Sequence, residues 1–149
     1  MNLAQPVFQI YIVAVLVLGL NLLVLANNTA LTRVKNKETV NPEDKKLPPN
    51  RESEVVYHQG SEPTQRYRRA HANALENIPL FMITAFLLTL TPVPVVAAGV
   101  LFGVFVLFRV LHSIAYLKAL QPLRTASFGI AALDQLAILG FLGYYVFAS

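Results

Sequence analysis

The sequence predicts an all-α protein, an integral membrane four-helix bundle, on three observations. The chain of 149 residues is 55% hydrophobic and only 13% charged, with a mean hydropathy of +0.52, whereas soluble domains carry about 25% charge. Its apolar residues gather into four stretches divided by polar or proline-containing links. Four crossings of about 20 residues use about 80 residues, which accords with the apolar fraction. The third observation is the placement of charge. Nine of the twelve Lys and Arg residues lie between Arg33 and Arg69, and the others are Arg109, Lys118 and Arg124. The first 32 and last 25 residues hold none. This composition disfavours a soluble enzyme, a disordered regulator and a secreted scaffold. The chain has no cysteine, which excludes disulfides, thiolate metal sites and a protein thiol nucleophile, so any sulfur chemistry must arrive with a ligand.

A single domain over residues 1–149 accommodates the elements in order. The first stretch, interrupted only by Gln9 and Asn21, predicts a helix over about 7–32. It lacks a basic leader and an obvious small-residue cleavage site, and so reads as a retained span. Residues 33–65 concentrate the polar groups together with Pro42, Pro48, Pro49 and Gly60, and read as an irregular loop. A second helix over about 66–90 begins polar, enters the bilayer near Asn73 and contains one internal proline, Pro79. Pro92 and Pro94 make the next link a turn. A third helix over about 94–120 follows, Gln121-Pro122 breaks the chain, and a fourth runs over about 126–147. The loops 33–65 and 118–125 are basic while the 91–94 turn is uncharged. The positive-inside rule therefore places both loops in the cytoplasm and both termini on the opposite side.

A net charge of +4 could suggest nucleic acid, but no recognition motif accompanies it, and Glu38, Glu43, Asp44, Glu52, Glu54 and Glu62 dilute the basic loop. Polar groups inside the spans are more informative, because a charge at membrane depth costs about 2.5–3.5 kcal/mol and usually faces a partner or a cavity. Arg66, Arg69, Asn73 and Glu76 share one face of the second helix by spacing. Arg109, His112, Ser113 and Tyr116 share one face of the third. Asp134 and Gln135 sit inside the fourth, where Asp134 could neutralise a buried arginine. Each has a structural reading too: Arg66 and its neighbours as an interfacial girdle, Glu76–Arg109 as an ion pair between helices, His112 as an interhelical hydrogen bonder, and Phe102, Phe105 and Phe108 as packing surface. Histidines at only 58, 71 and 112 indicate no metal site. With Arg124, the clusters form a cationic pocket containing one acid near the membrane surface. Such a pocket suits a polar anionic ligand whose reaction partner is dissolved in lipid.

The run Arg69-Ala70-His71-Ala72-Asn73-Ala74-Leu75-Glu76-Asn77-Ile78-Pro79 resembles the helix-two signature of the MAPEG superfamily, the membrane-associated proteins in eicosanoid and glutathione metabolism. The run Arg109-Val110-Leu111-His112-Ser113-Ile114-Ala115-Tyr116-Leu117, followed by Gln121-Pro122-Leu123-Arg124-Thr125, resembles its second signature. Asn41-Pro42-Glu43-Asp44 is similar to the loop motif of the branch holding microsomal glutathione transferase and microsomal prostaglandin E synthase. The resemblance implies a homotrimer in the lipid bilayer that uses glutathione and a lipophilic small-molecule substrate. By the same resemblance, glutathione lies between subunits on Arg33, Arg69, Asn73, Glu76, His112, Tyr116 and Arg124, with Asp44 and Thr125 near the thiol. Arg124, Thr125 and Asp44 are the expected catalytic residues, while Arg109, Arg66 and Asp134 support them. Ala72 and Phe128 depart from the prostaglandin synthases, which have Arg and Tyr there, and Thr125 replaces a Ser. The implied activity is glutathione transfer to lipophilic electrophiles, with reduction of lipid hydroperoxides as a further activity. A prostaglandin-type isomerase and a non-catalytic lipid-binding scaffold are the alternatives. A transporter has little support, since no internal repeat is present.

Overall fold

A computed structural model describes residues 5–56 and 60–148. Four helices make the bundle: α1 (Pro6–Lys35), α2 (Glu62–Thr89), α3 (Val95–Leu117) and α4 (Gln121–Phe147). All four are long and apolar enough to cross a membrane. Helix α3 packs against α1, α2 and α4, and α2 also touches both outer helices, whereas α1 and α4 barely meet. The two outer helices thus flank the α2–α3 pair on opposite sides.

Three boundaries differ from the sequence expectation. Helix α2 begins at Glu62 rather than near 66, with Pro63 in its first turn. Helix α3 stops at Leu117 because Ala119 takes a left-handed φ of 57°. Leu120 N–H then bonds back to Ala115 O at 2.9 Å and Ala119 N–H to Tyr116 O at 3.3 Å, closing the helix end in the way a glycine usually does. Helix α4 begins at Gln121 rather than near 126. Pro122 does not break the chain before it but occupies its first turn, where a missing N–H costs nothing.

The loop expected to be irregular is partly ordered. Strands β1 (Glu38–Thr39) and β2 (Glu54–Val55) pair in parallel, and Glu54 N–H and Val56 N–H donate to Lys37 O and Thr39 O, both at 2.8 Å. Two short 3₁₀ turns, Pro42–Lys46 and Asn50–Glu52, connect them.

The core is packed from small and aromatic side chains. Ala70, Ala74, Ile78, Phe81, Ala85 and Leu88 are the buried stripe of α2. Their alanines let neighbouring helices approach closely, which in lipid supplies the association energy that water would supply elsewhere. Phe81 stacks on Phe105 at 4.1 Å and meets Phe102 edge-on at 5.8 Å. Phe102 and Phe105 are therefore core packing, and Phe108 is half-buried against them. Outward-facing Val13, Leu16, Leu20, Ile83, Val96, Leu133 and Leu136 form the apolar exterior.

Polar links cross the interior. Asn21 donates to Ser113 Oγ at 3.1 Å, Tyr11 to Met82 O at 3.2 Å, and Gln135 Nε2 to Thr84 Oγ1 at 2.9 Å. Arg109 is 2% exposed, and its guanidinium donates to Asn73 Oδ1 at 2.7 Å and Asn73 O at 3.1 Å. The ion pair considered for Glu76 and Arg109 is thus not formed. Arg109 bonds Asn73 instead, and Glu76 lies on the exposed side of α2. Asp134 does not neutralise an arginine either: its buried Oδ2 has no hydrogen-bond partner, and none of the ion pairs Lys37–Glu52, Glu62–Arg66 and Glu62–Arg69 includes it. Losing a buried side chain together with two charge-assisted bonds costs about 2–5 kcal/mol. Arg109→Ala is therefore expected to lower the unfolding midpoint in detergent sharply, and volume-conserving Arg109→Met less so.

Candidate functional site

The expected site residues fall into two groups. The first lies where the second, third and fourth helices converge at the basic end. The α3 register puts Arg109, His112 and Tyr116 on the side facing α2 and α4, as their spacing predicts. His112 Nδ1 lies 3.0 Å from Arg124 O. A carbonyl only accepts, so Nδ1 carries the proton and donates, while the buried Nε2 has no partner. His112 also meets the rings of Tyr116 and Phe128, each at 5.8 Å. Arg124, in the first turn of α4, holds its guanidinium 4.9 Å over the Tyr116 ring and bonds Gln121 Oε1. It stays half-buried, with Thr125 exposed beside it. Phe128, 40% exposed, lies 6.0 Å under the Arg109 guanidinium. Asn73 is half-buried here through its bonds to Arg109.

On the same end of α2, Arg66 donates to Glu62 at 2.6 and 3.3 Å and reaches Tyr116 O at 3.4 Å. Arg69 also donates to Glu62, at 3.2 Å. Glu62, which in the sequence reads as a charge diluting the basic loop, is the partner of both, and its spacing of four to Arg66 is the signature of a helical pair. These ion pairs are exposed and contribute little stability; Glu76 takes part in none of them and is exposed on α2.

The second group lies at the C-terminal end of α1 and in the loop. Arg33 and Asp44 line a cavity of about 130 Å³ with Glu38, Thr39 and Asn50. Asp44 accepts from Asn41 N–H at 3.4 Å, within its own 3₁₀ turn. Glu38 was not among the expected site residues. Burial pushes its carboxyl up, but the Ser61 N–H, the Thr64 and Ser61 hydroxyls and the Arg33 charge together hold it below the ordinary value. Since α1 and α4 barely meet, the chain carries Arg33 and Arg124 on separate flanks. No group of three or more metal-ligating side chains converges among the described residues; His58 lies outside them.

Known proteins match most of this chain. The MAPEG family profile matches residues 11–144. Microsomal glutathione S-transferase 1 of Rattus norvegicus is 38% identical over 105 residues, which is 70% of this chain and 68% of that protein. Prostaglandin E synthase of Macaca fascicularis is 32% identical over 133 residues, covering 88% of this chain and 84% of that protein. The human prostaglandin E synthase is 31% identical over the same span. A match across nearly the whole bundle, with both signature faces turned to one end of it, makes this chain a member of the MAPEG family.

Proposed function

We propose that the protein is a membrane glutathione S-transferase that works as a homotrimer, activates glutathione as a thiolate and delivers it to lipophilic electrophiles, lipid hydroperoxides among them. The observation that carries this reading is the Arg124 guanidinium, held over Tyr116 at the mouth of the α2–α3–α4 face with donors to spare. The donor set fits the ligand. Glutathione brings two carboxylates, one ammonium and a thiol. Arg69 and the open Glu76 offer opposite charges for its termini, Asn73 and Tyr116 offer neutral bonds, and the buried His112 Nε2 is an unused ring nitrogen.

A thiol of pKa about 8.5 is roughly 3% ionised at pH 7. Lowering that pKa by about two units needs about 2.7 kcal/mol of preferential thiolate stabilisation, within reach of one or two charge-assisted hydrogen bonds at about 1.5–3 kcal/mol each. Arg124 is the first donor and the Thr125 hydroxyl the second. The thiol proton leaves to Asp44 or to water, and the sulfur lone pair forms an S–C bond with a carbon electrophile. The leaving group departs with its electron pair. With a hydroperoxide the sulfur forms an S–O bond as the O–O bond breaks, and the alkoxide takes up the proton. A second glutathione then displaces water from the sulfenic acid to give the disulfide. Arg33 and Asp44, which line one cavity, reach this site from a neighbouring subunit, which accounts for the placing of Arg33 and Arg124 on helices that barely meet within one chain. The basic loops 33–65 and 118–125 face the cytoplasm, and both termini lie opposite.

The longer match to prostaglandin E synthases favours a second reading, in which the same thiolate opens an endoperoxide. Three assays on the purified chain in detergent separate the classes: a chlorinated nitrobenzene, a lipid hydroperoxide and a prostaglandin endoperoxide, each with glutathione. Conjugation of the nitrobenzene is expected. Turnover of the endoperoxide alone transfers the protein to the isomerases, and no turnover with any substrate leaves a lipid-binding scaffold.

A further inference from the structure

We propose that Glu38 is a positioning residue, which orients the Arg33 guanidinium across a hydrated chamber and thereby sets the affinity for the ligand that Arg33 meets. The transferase reading enters only in naming that ligand as glutathione.

Glu38 is 8% exposed although it sits in a surface strand. One carboxylate oxygen accepts Ser61 N–H at 2.6 Å, which anchors it to the start of α2. The other, Oε2, is buried and makes no hydrogen bond of its own although the Thr64 and Ser61 hydroxyls stand close to the carboxylate, and Arg33 Nε and Asn50 Oδ1 are buried without a partner. All three residues line the same cavity of about 130 Å³, with Asp44 on its wall. Gly60 makes the arrangement possible, because a Cβ there would stand 3.0 Å from Glu38 Oε2.

Buried polar atoms are rarely left unbonded, and a polar cavity of this size has room for several waters. The chemistry selects water over an ion. Arg33 on one side disfavours a cation, and the two oxygen acceptors opposite disfavour an anion. Water alone both accepts from Arg33 Nε–H and donates to Glu38 and Asn50. Arg33 and Glu38 make no ion pair within 4 Å, so the Glu38 charge acts on the fork through space and through the waters between them, and fixes which way it points. With Nε engaged, the two terminal nitrogens of Arg33 are left for a ligand.

Glu38→Gln keeps the shape and an acceptor for Ser61 but removes the charge. In the full chain in detergent, glutathione binding measured by calorimetry is expected to weaken about five- to tenfold. In an Arg33→Met background the same change should have no further effect. Equal weakening in both backgrounds overturns the proposal, since Glu38 would then act only by holding α2. A second readout needs no ligand. The Arg33 Nε–H signal should be protected from hydrogen exchange in the wild type and lose that protection in Glu38→Gln and in Asn50→Ala, which leaves Ser61 untouched. Unchanged exchange in both variants also overturns it. A wild-type chain that binds no glutathione sinks the transferase reading, while the exchange measurement still decides Glu38.

Discussion

Arg124→Ala is expected to slow glutathione-dependent turnover roughly ten- to hundredfold at neutral pH, the equivalent of one charge-assisted hydrogen bond to the thiolate. The bundle should survive the change. The side chain lies over the Tyr116 ring and bonds Gln121, near the surface. The bonds that knit this corner, from His112 at 3.0 Å and Ser127 at 3.1 Å, go to the Arg124 backbone carbonyl, which alanine retains. Arg124→Lys should recover part of the rate, because a point ammonium carries the charge but not the planar fork. The decisive measurement is the ultraviolet absorbance of the bound thiolate, titrated against pH in each variant. The thiol pKa should rise in Arg124→Ala and take an intermediate value in Arg124→Lys. An unchanged value in a variant that still binds glutathione would remove Arg124 from the activating role and leave Asp44 or Thr125 to fill it.

The second large effect concerns assembly. Arg33→Ala and Arg124→Ala are each expected to be nearly inactive, yet a mixture of the two should regain activity. In a cyclic trimer each site takes Arg33 from one subunit and Arg124 from the next. Random equal mixing therefore restores about one site in four over all trimers, and about one in three in the isolated mixed trimers. A site confined to one chain restores none. The experiment requires co-expression with two affinity tags, so that mixed trimers are isolated before assay. Absence of complementation in verified mixed trimers would mean that Arg33 and Arg124 serve different purposes.

The sequence made the spans legible because a bilayer imposes a length and an apolarity that no local detail can disguise. It made the α2 and α3 faces legible too, since Arg66, Arg69, Asn73 and Glu76 repeat at helical spacing. It did not show what those faces meet. Arg109 had an acid and an amide within reach along α2, and only packing decides for Asn73. Asp134 could be expected to seek an arginine, but which side of α4 turns inward depends on α3. Helix ends were less legible than helix middles. Pro122 terminates or initiates according to which neighbour is already helical, and Ala119 carries a left-handed backbone with no glycine to announce it. The loop was the least legible region. Two-residue strands have no periodicity to read, so neither the β1–β2 pairing nor the gathering of Glu38, Asn50 and Arg33 could be inferred from spacing.

The length of α2 has a consequence for how a water-soluble reactant reaches the site. Its 28 residues extend about 42 Å, against a hydrocarbon core of about 30 Å. The surplus puts the turns bearing Arg66, Arg68 and Arg69 among the lipid headgroups. A leaflet containing anionic lipid has a surface potential near −30 mV, which thins out a dissolved monoanion by about threefold next to the membrane. A tripeptide with more carboxylates than amines is subject to that depletion. Arg66, Arg68 and Arg69 outnumber the one carboxylate, Glu62, that pairs with two of them, so the net positive charge of this turn opposes that depletion.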